Sequence, residues 1–179
     1  MASTAVLAQG SAFYVLDDTV VSPAIVRQIK QTEGISGLGG SRTVIPITNL
    51  DSTGVEKQVG LMDSGSISFN LLFNPADLSH QLLETLANST TTKPVKQFYF
   101  GLSDGAVTAP TFTGTIAGAN LVLKTPPGSV TNTRTGYLFT GFVKQWSRAA
   151  PVNGVVKVSG AIEITAPVFT AINGAAWTA

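Results

Sequence analysis

Residues 60–86 read GLMDSGSISFNLLFNPADLSHQLLETL and contain a turn, an alternating strand and a helix in direct succession. Apolar and polar residues alternate over residues 66–73, which is typical of a strand with one buried face. Asn74 suits the capping position of a helix, Pro75 its first position, and Asp77 its first turn, where the helix dipole favours an anion. The stretch therefore predicts a strand followed by a helix over about residues 75–88. The apolar stripe of this helix consists of Leu78, Leu82, Leu83 and Leu86.

Apolar and polar residues also alternate with a period of two along most of the rest of the chain, which predicts a mainly β protein. Pro46 cannot donate a hydrogen bond to a ladder, so its strand is expected at an edge or a bulge. The predicted helix is apolar on one side only and is expected to lie across a sheet. Further candidate strands lie at residues 25–30, 43–48, 97–102, 137–147 and 155–165.

Three segments are predicted to be loops: the glycine-rich residues 33–41, the long stretch at residues 49–63, and the polar residues 126–135. Residues 1–20 and 167–179 carry apolar side chains without clear periodicity. We expect one domain over residues 1–179, with these ends as N-terminal and C-terminal arms. Such ends are either disordered or docked on a neighbour.

The composition excludes several classes of protein. The chain of 179 residues has no cysteine, which rules out disulfides, a thiolate nucleophile and a cysteine zinc site. Eleven basic residues face ten acidic ones and they are scattered, so tight phosphate binding is not expected. Charged residues make up 12% of the chain, against about 25% in typical soluble domains. This deficit fits extensive subunit contact, or an ordinary β protein with an uncharged polar surface.

No residues form a convincing catalytic, cofactor or metal site. His80 is the only histidine, and a general base needs an orienting partner and a nucleophile within reach. We therefore interpret His80 as a surface or packed structural residue. The glycines at residues 34–40 lack the Lys-Ser/Thr pair that completes a phosphate-binding loop. Lys144 and Arg148 flank Trp146, but two positive charges are too few to indicate a nucleic-acid site.

Residues 60–86 resemble the core signature of phage major tail tube proteins, especially those of long, lambda-like, non-contractile tails. The family pattern reads Gly-Leu-x-Asp-x-Gly, a strand, then Phe-Asp/Asn-Pro-x-Asp-x-x-His-x-x-Leu. The type VI secretion tube protein is a structural cousin of this family. The matching positions here are Gly60, Leu61, Asp63, Gly65, Phe73, Asn74, Pro75, Asp77, His80 and Leu83.

This resemblance implies a β-sandwich or flattened barrel flanked by the helix at residues 75–88. It implies a structural virion protein, without enzyme activity or cofactor, whose hexameric rings stack into the tail tube that conducts DNA into the host. The implied partners are further copies of the chain, a tape measure protein, and tail terminator and baseplate proteins. The implied location is the virion tail, assembled in the cytoplasm of the bacterial host, with no membrane contact and no specific DNA binding.

Alternation along the strands predicts which residues would line such a tube. Lys157 shares this polar face and is expected at the rim, or paired with an acid of the next subunit. The predicted lumen-facing residues are Ser66, Ser68, Asn70, Ser159 and Glu163. The predicted inter-ring residues, on the loop at residues 49–63, are Asp51, Glu56, Lys57, Leu61, Met62 and Asp63.

A different class of function also fits the composition. A monomeric β-sandwich binding module, such as a capsid decoration or an adhesin-like domain, would have the same uncharged polar surface. An enzyme is a third alternative, for which the sequence offers no site.

Overall fold

The computed structural model describes residues 9–17, 25–49, 51, 53–90, 95–105, 111–113, 122–124 and 134–171. The elements in chain order are β1 (Ala12–Asp17), β2 (Ile25–Ile29), β3 (Thr32–Ser36), β4 (Ser41–Pro46), β5 (Lys57–Asp63), β6 (Ser66–Leu72), α1 (Leu78–Asn88), β7 (Lys96–Gly101), β8 (Thr111–Thr113), β9 (Val122–Lys124), β10 (Gly136–Ala149), β11 (Lys157–Ile164) and β12 (Phe169–Ala171).

Most strands belong to one antiparallel sheet with the order β2-β1-β7-β10-β11-β6-β3, and β12 also pairs with β10. Its outermost strands, β2 and β3, are consecutive in the chain, with only Lys30 and Gln31 between them. Gln31 has a φ of 56°, which turns the backbone sharply there. The sheet must therefore curl until its two ends approach each other. It does not close, because β2 and β3 do not pair within the described residues.

The core fills the inside of this curled sheet. Phe98 and Phe139 stack at its centre, with ring centroids 5.5 Å apart. Helix α1 lies against β10 and β2 and covers the open side of the core. The side chains that α1 contributes to the core are Leu82, Leu83 and Leu86.

The mainly β fold with one flanking helix agrees with the sequence prediction, but the helix begins later than predicted. Asp77 is the N-cap, and its Oδ1 accepts hydrogen bonds from the Ser79 amide at 2.8 Å and the Ser79 hydroxyl at 2.7 Å. Burial would raise the pKa of Asp77, but these bonds, together with nearby positive charge such as that of Lys30, hold that pKa below its usual value. Asn74 instead accepts from the Ala76 amide in a turn that precedes the helix. Leu78, predicted in the apolar stripe, is 55% exposed.

The prediction of an N-terminal arm at residues 1–20 is wrong for β1, in which every residue is buried. Both faces of β1 are covered, so its sequence shows no alternation. One face joins the main core, and the other packs Tyr14 against Tyr99. Burial raises the pKa of Tyr14, against the opposing effect of the Arg134 charge. Residues 1–8 and 18–20 lie outside the described residues.

Arg134 was predicted in a polar loop at residues 126–135, but it is buried. Its Nε donates to the Leu102 carbonyl, and its Nη2 donates to the Gly10 carbonyl at 2.9 Å. Arg134 thus ties the segment before β1 to the end of β7. Residues 126–133 lie outside the described residues.

Two other predicted loops contain strands. The glycine-rich stretch at residues 33–41 includes most of β3, and the stretch at residues 49–63 becomes β5 from Lys57 onward. Bulges lie between Thr32 and Gly34 and in the pairing of β4 with β5. An inserted residue shifts the alternation, which hides such strands from a period-two pattern. In the predicted C-terminal arm at residues 167–179, Phe169–Ala171 forms β12, and residues 172–179 lie outside the described residues.

Gly160 supplies a first testable prediction. A Cβ at Gly160 would lie 2.3 Å from Phe69 Cζ, and Phe69 is held in place by Phe13 and Trp146. We expect Gly160→Ala to lower the free energy of unfolding by about 1–3 kcal/mol, because core overpacking costs that much. Urea unfolding followed by tryptophan fluorescence measures this change.

Gly34→Ala is the matched control. Nothing lies within 4 Å of a Cβ at Gly34, on the same sheet. Its free energy of unfolding should change by less than about 1 kcal/mol, as expected for a glycine without steric constraint. Equal losses in the two variants would contradict the steric explanation.

Candidate functional site: a polar sheet face and a projecting ribbon

The outer face of β6 and β11, opposite to the core, carries the predicted lumen-facing residues. We call this surface the polar face. Buried and exposed residues alternate along β6, so that its polar side chains point outward. Asn70 lies opposite Ser159, and Ser66 lies opposite Glu163. Ser159 Oγ donates to Asn70 Oδ1 at 2.8 Å. The structure therefore brings Ser66, Ser68, Asn70, Ser159 and Glu163 together on one surface.

Charges on the polar face are paired within the chain. Lys144 Nζ lies 2.9 Å from Glu163 Oε2, and Lys157 Nζ lies 2.9 and 3.1 Å from the two carboxylate oxygens of Glu33. Lys157 therefore has a partner within its own chain, Glu33, in place of the predicted acid of the next subunit. Its predicted position at the rim stays a prediction. These pairs add no net charge to the face.

Both ion pairs depend on bulges that the sequence does not reveal. Glu33 lies at the bulge of β3, between Thr32 and Gly34, and Lys144 lies at the bulge of β10, between Val143 and Gln145. An inserted residue re-aims its side chain and strengthens the local twist. Alternation did not place Glu33 and Lys144 on this face, because the period of two is interrupted at each bulge.

A two-stranded ribbon projects beside the polar face. We define the ribbon as β4, β5 and the segment between them. Every residue of β4 is exposed, as is every residue of β5 except the half-buried Gly60. Pro46 ends β4, which pairs only with β5 among the described strands, in agreement with the predicted edge. The predicted inter-ring residues are all on the ribbon and exposed: Asp51, Glu56, Lys57, Leu61, Met62 and Asp63.

The ribbon also carries much of the exposed apolar surface. Leu61 is 88% exposed and Val59 is 66% exposed. Isolated two-stranded ribbons are marginally stable in water. An apolar ribbon with both faces open therefore has the character of a contact surface.

His80 is structural, as the sequence indicated. It is fully buried, and its Nδ1 accepts from the Asn74 amide at 3.0 Å. Its Nε2 must therefore carry the proton, which it donates to the Lys30 carbonyl at 3.0 Å. Both nitrogens are occupied, so neither can act as a general base. The Phe73 ring stacks on the imidazole at 6.0 Å.

Within the described residues, no group of three or more His, Asp or Glu residues could hold a metal ion. A groove of about 330 Å³ lies in the gap between β2 and β3, and its charged residues are Lys30 and Glu33. In the described part of the chain, no helix has the length and hydrophobicity needed to cross a membrane.

The chain matches the family model described as phage tail tube, TTP, lambda-like, over residues 4–172. This is a family of structural proteins, not of enzymes. A search of curated protein sequences finds no match.

Solved tail and injection-system structures have a similar fold. The SPP1 tail tube is 9% identical with a TM-score of 0.60, covering 95% of this chain and 82% of that one. A protein of the PVC sheath/tube terminator is 12% identical with a TM-score of 0.60, covering 96% and 99%. A protein of a GTA particle tail, refined with C6 symmetry, is 14% identical with a TM-score of 0.54, covering 94% and 96%.

The His80 contacts generate a second prediction. His80→Leu removes the partner of the Asn74 amide and of the Lys30 carbonyl, two part-buried groups, so we expect the free energy of unfolding to fall by about 2–3 kcal/mol. His80→Gln should lose less, because an amide side chain can donate and accept at once. Thermal and urea unfolding measure the order of the variants.

Gln81→Leu serves as the control on the adjacent, exposed helix position, where it removes one solvent-exposed hydrogen bond, from Gln81 Nε2 to the Pro75 carbonyl at 2.7 Å. Because water can replace that bond, the free energy of unfolding should fall by less than about 1 kcal/mol. If His80→Leu were as stable as Gln81→Leu, the proposed role of the two hydrogen bonds would be wrong.

Proposed function

Because this chain belongs to the lambda-like family of phage tail tube proteins, we propose that six copies form a ring, that rings stack into the tube, and that the polar face lines the channel through which DNA passes. The chain itself is a structural component of the virion tail and not an enzyme. The observation that carries the proposal is the polar face, whose charges cancel within one chain.

A conduit for DNA works best when its wall does not bind DNA. Each contact with a phosphate adds affinity, and a tube multiplies that contact over all its subunits. On the polar face, Lys144 and Lys157 are the cations, and each has a carboxylate within 2.9 Å. Their charges are neutralised locally. The other side chains of this face are the hydroxyls and the amide of Ser66, Ser68, Asn70 and Ser159, with the apolar Leu72 and Ala161 between them. Such a wall is wettable and offers phosphates no uncompensated cation.

The edges of the sheet support assembly from identical copies. Among the described strands, β2 pairs only with β1, and β3 pairs only with β6. Unpaired edges are templates for pairing with another chain. Contacts between different surfaces of identical subunits produce a ring when the rotation closes. The C6 symmetry of the similar GTA tail favours six subunits.

The proposed domain is a single tube domain, in which the ribbon would join stacked rings to one another. At the ends of the tube we propose terminator and baseplate proteins as partners, and in its lumen a tape measure protein. The fold shared with the PVC sheath/tube terminator supports end-to-end stacking of like folds.

Electron microscopy of the purified protein, followed by thiol labelling, tests the proposal. We expect rings or tubes in the micrographs. The chain has no cysteine, so Ser68→Cys and Gln81→Cys each introduce a single thiol. In sealed tubes, a bulky thiol reagent outside should modify Gln81→Cys on α1 quickly and leave Ser68→Cys protected.

Free monomers should label equally at both positions, since both side chains are exposed. If the purified protein stayed monomeric at every concentration, the proposed tube formation would be wrong and a monomeric binding module would be favoured. Fast labelling of Ser68→Cys in sealed tubes would overturn the assignment of the polar face to the lumen.

A further inference from the structure

The two faces of the ribbon carry opposite charges. Residues directly opposite each other in an antiparallel pair share a face. Arg42 lies opposite Met62, Val44 opposite Val59, and Pro46 opposite Lys57. This face, which we call the basic face, has an apolar centre between two cations. Its defining residues are Arg42, Val44, Lys57, Val59 and Met62.

The other face carries the acids. Asp63 lies opposite Ser41, Ile45 lies opposite Gln58, and the Ile47 amide donates to the Glu56 carbonyl at 3.1 Å. A bulge places Gly60 and Leu61 opposite Thr43. A Cβ at Gly60 would lie 3.4 Å from Ile45 Cδ1, which confirms that these positions share a face. This acidic face is defined by Ile45, Ile47, Glu56, Leu61 and Asp63.

The charges of the two faces are not paired within the part of the chain that the structure describes. In the described residues, no ion pair involves Arg42, Lys57, Glu56 or Asp63. Asp63 Oδ1 accepts from the Gly65 amide, which leaves its second oxygen free to accept another bond. The apolar centres are open too, with Val44 57% exposed and Ile45 46% exposed.

We propose that the basic face of one ribbon packs on the acidic face of the ribbon of a second copy, with both ribbons pointing the same way. This inference rests on the proposed assembly from identical copies and names the surfaces that meet. In this arrangement Arg42 meets Asp63 of the second copy at the base of the ribbon. Lys57 meets Glu56 of the second copy near its tip, and the apolar centres pack between the two ion pairs.

The spacing of the charges suits this arrangement. At about 3.3 Å per strand residue, Arg42 and Lys57 are about 13 Å apart along the ribbon, and Asp63 and Glu56 are about 20 Å apart. The difference of about 3 Å at each end is within reach of long, flexible basic side chains. Stacked sheets lie about 10 Å apart, a separation that these side chains also span.

The charge pattern rejects the competing self-contacts. Two basic faces, or two acidic faces, would bring like charges together, which disfavours a symmetric dimer through the ribbon. A basic face packed on an acidic face is a contact between two different surfaces. It leaves one face free on each outermost copy, so the contact can repeat. A repeating contact is what a ring or a stack requires.

Charge reversal tests the pairing. Arg42→Glu or Asp63→Arg alone creates a like-charge contact, and we expect the concentration needed for assembly to rise about tenfold or more. The double variant Arg42→Glu/Asp63→Arg restores an attractive contact and should assemble like the unmodified chain. An equal mixture of the two single variants should also assemble, because alternating copies make only attractive contacts.

The matched control is the double variant Arg42→Glu/Glu56→Arg. It keeps the net charge of +1, but both ion pairs become like-charge contacts. We expect it to assemble worse than either single variant. Circular dichroism and thermal unfolding check that every variant is folded, and sedimentation with electron microscopy measures assembly.

The outcomes separate this inference from the proposed function. If the unmodified chain does not assemble, the proposed function fails. If it assembles and Arg42→Glu assembles equally well, the ribbon pairing is wrong while the proposed function stands. The pairing is also wrong if the restoring double variant stays unassembled, or if the mismatched double variant assembles normally, since the ribbon would then contact a different surface or protein.

Discussion

The short link through Lys30 and Gln31 joins the two opposite ends of the main sheet, and the rest of the structure depends on that constraint. It forces the sheet to curl, which gives one enclosed apolar interior and one outward polar surface. His80 and the Leu72 amide hold this link through the Lys30 and Gln31 carbonyls, at 3.0 Å in each case. The helix that contributes His80 thus fixes the curvature as well as covering the core.

The sequence predicted the elements whose two sides differ in environment. Strands β6 and β11 have one face in the core and one in solvent, so their alternation is visible, and the leucines of α1 follow the helical period. The sequence-based prediction was wrong for elements whose two sides have the same environment. Strand β1 is buried on both faces, and β5 is exposed on both, so neither alternates in burial. The helix start shifted to Asp77 because Asn74 caps a turn instead.

The same reasoning explains what could be known about the site. The five residues of the polar face followed from alternation within single strands, and the tail tube family followed from a local signature. The partners Glu33 and Lys144 could not be found, because each lies at a bulge, where alternation along the strand no longer indicates which way the side chain points. The ribbon residues were found as a group. Their division into a basic and an acidic face required the pairing of β4 with β5, which only the structure supplies.

The ion pairs of the polar face have a consequence for a polymer of this chain. Because Lys144 and Lys157 are compensated inside each subunit, adding subunits adds no net charge to that surface. The net charge that these pairs contribute is then zero in a short stack and in a long one, and no contact between neighbouring subunits is needed to balance it. A surface balanced between subunits would instead leave uncompensated charges at both ends. Balance within the monomer therefore separates the electrostatics of the wall from the length of the assembly.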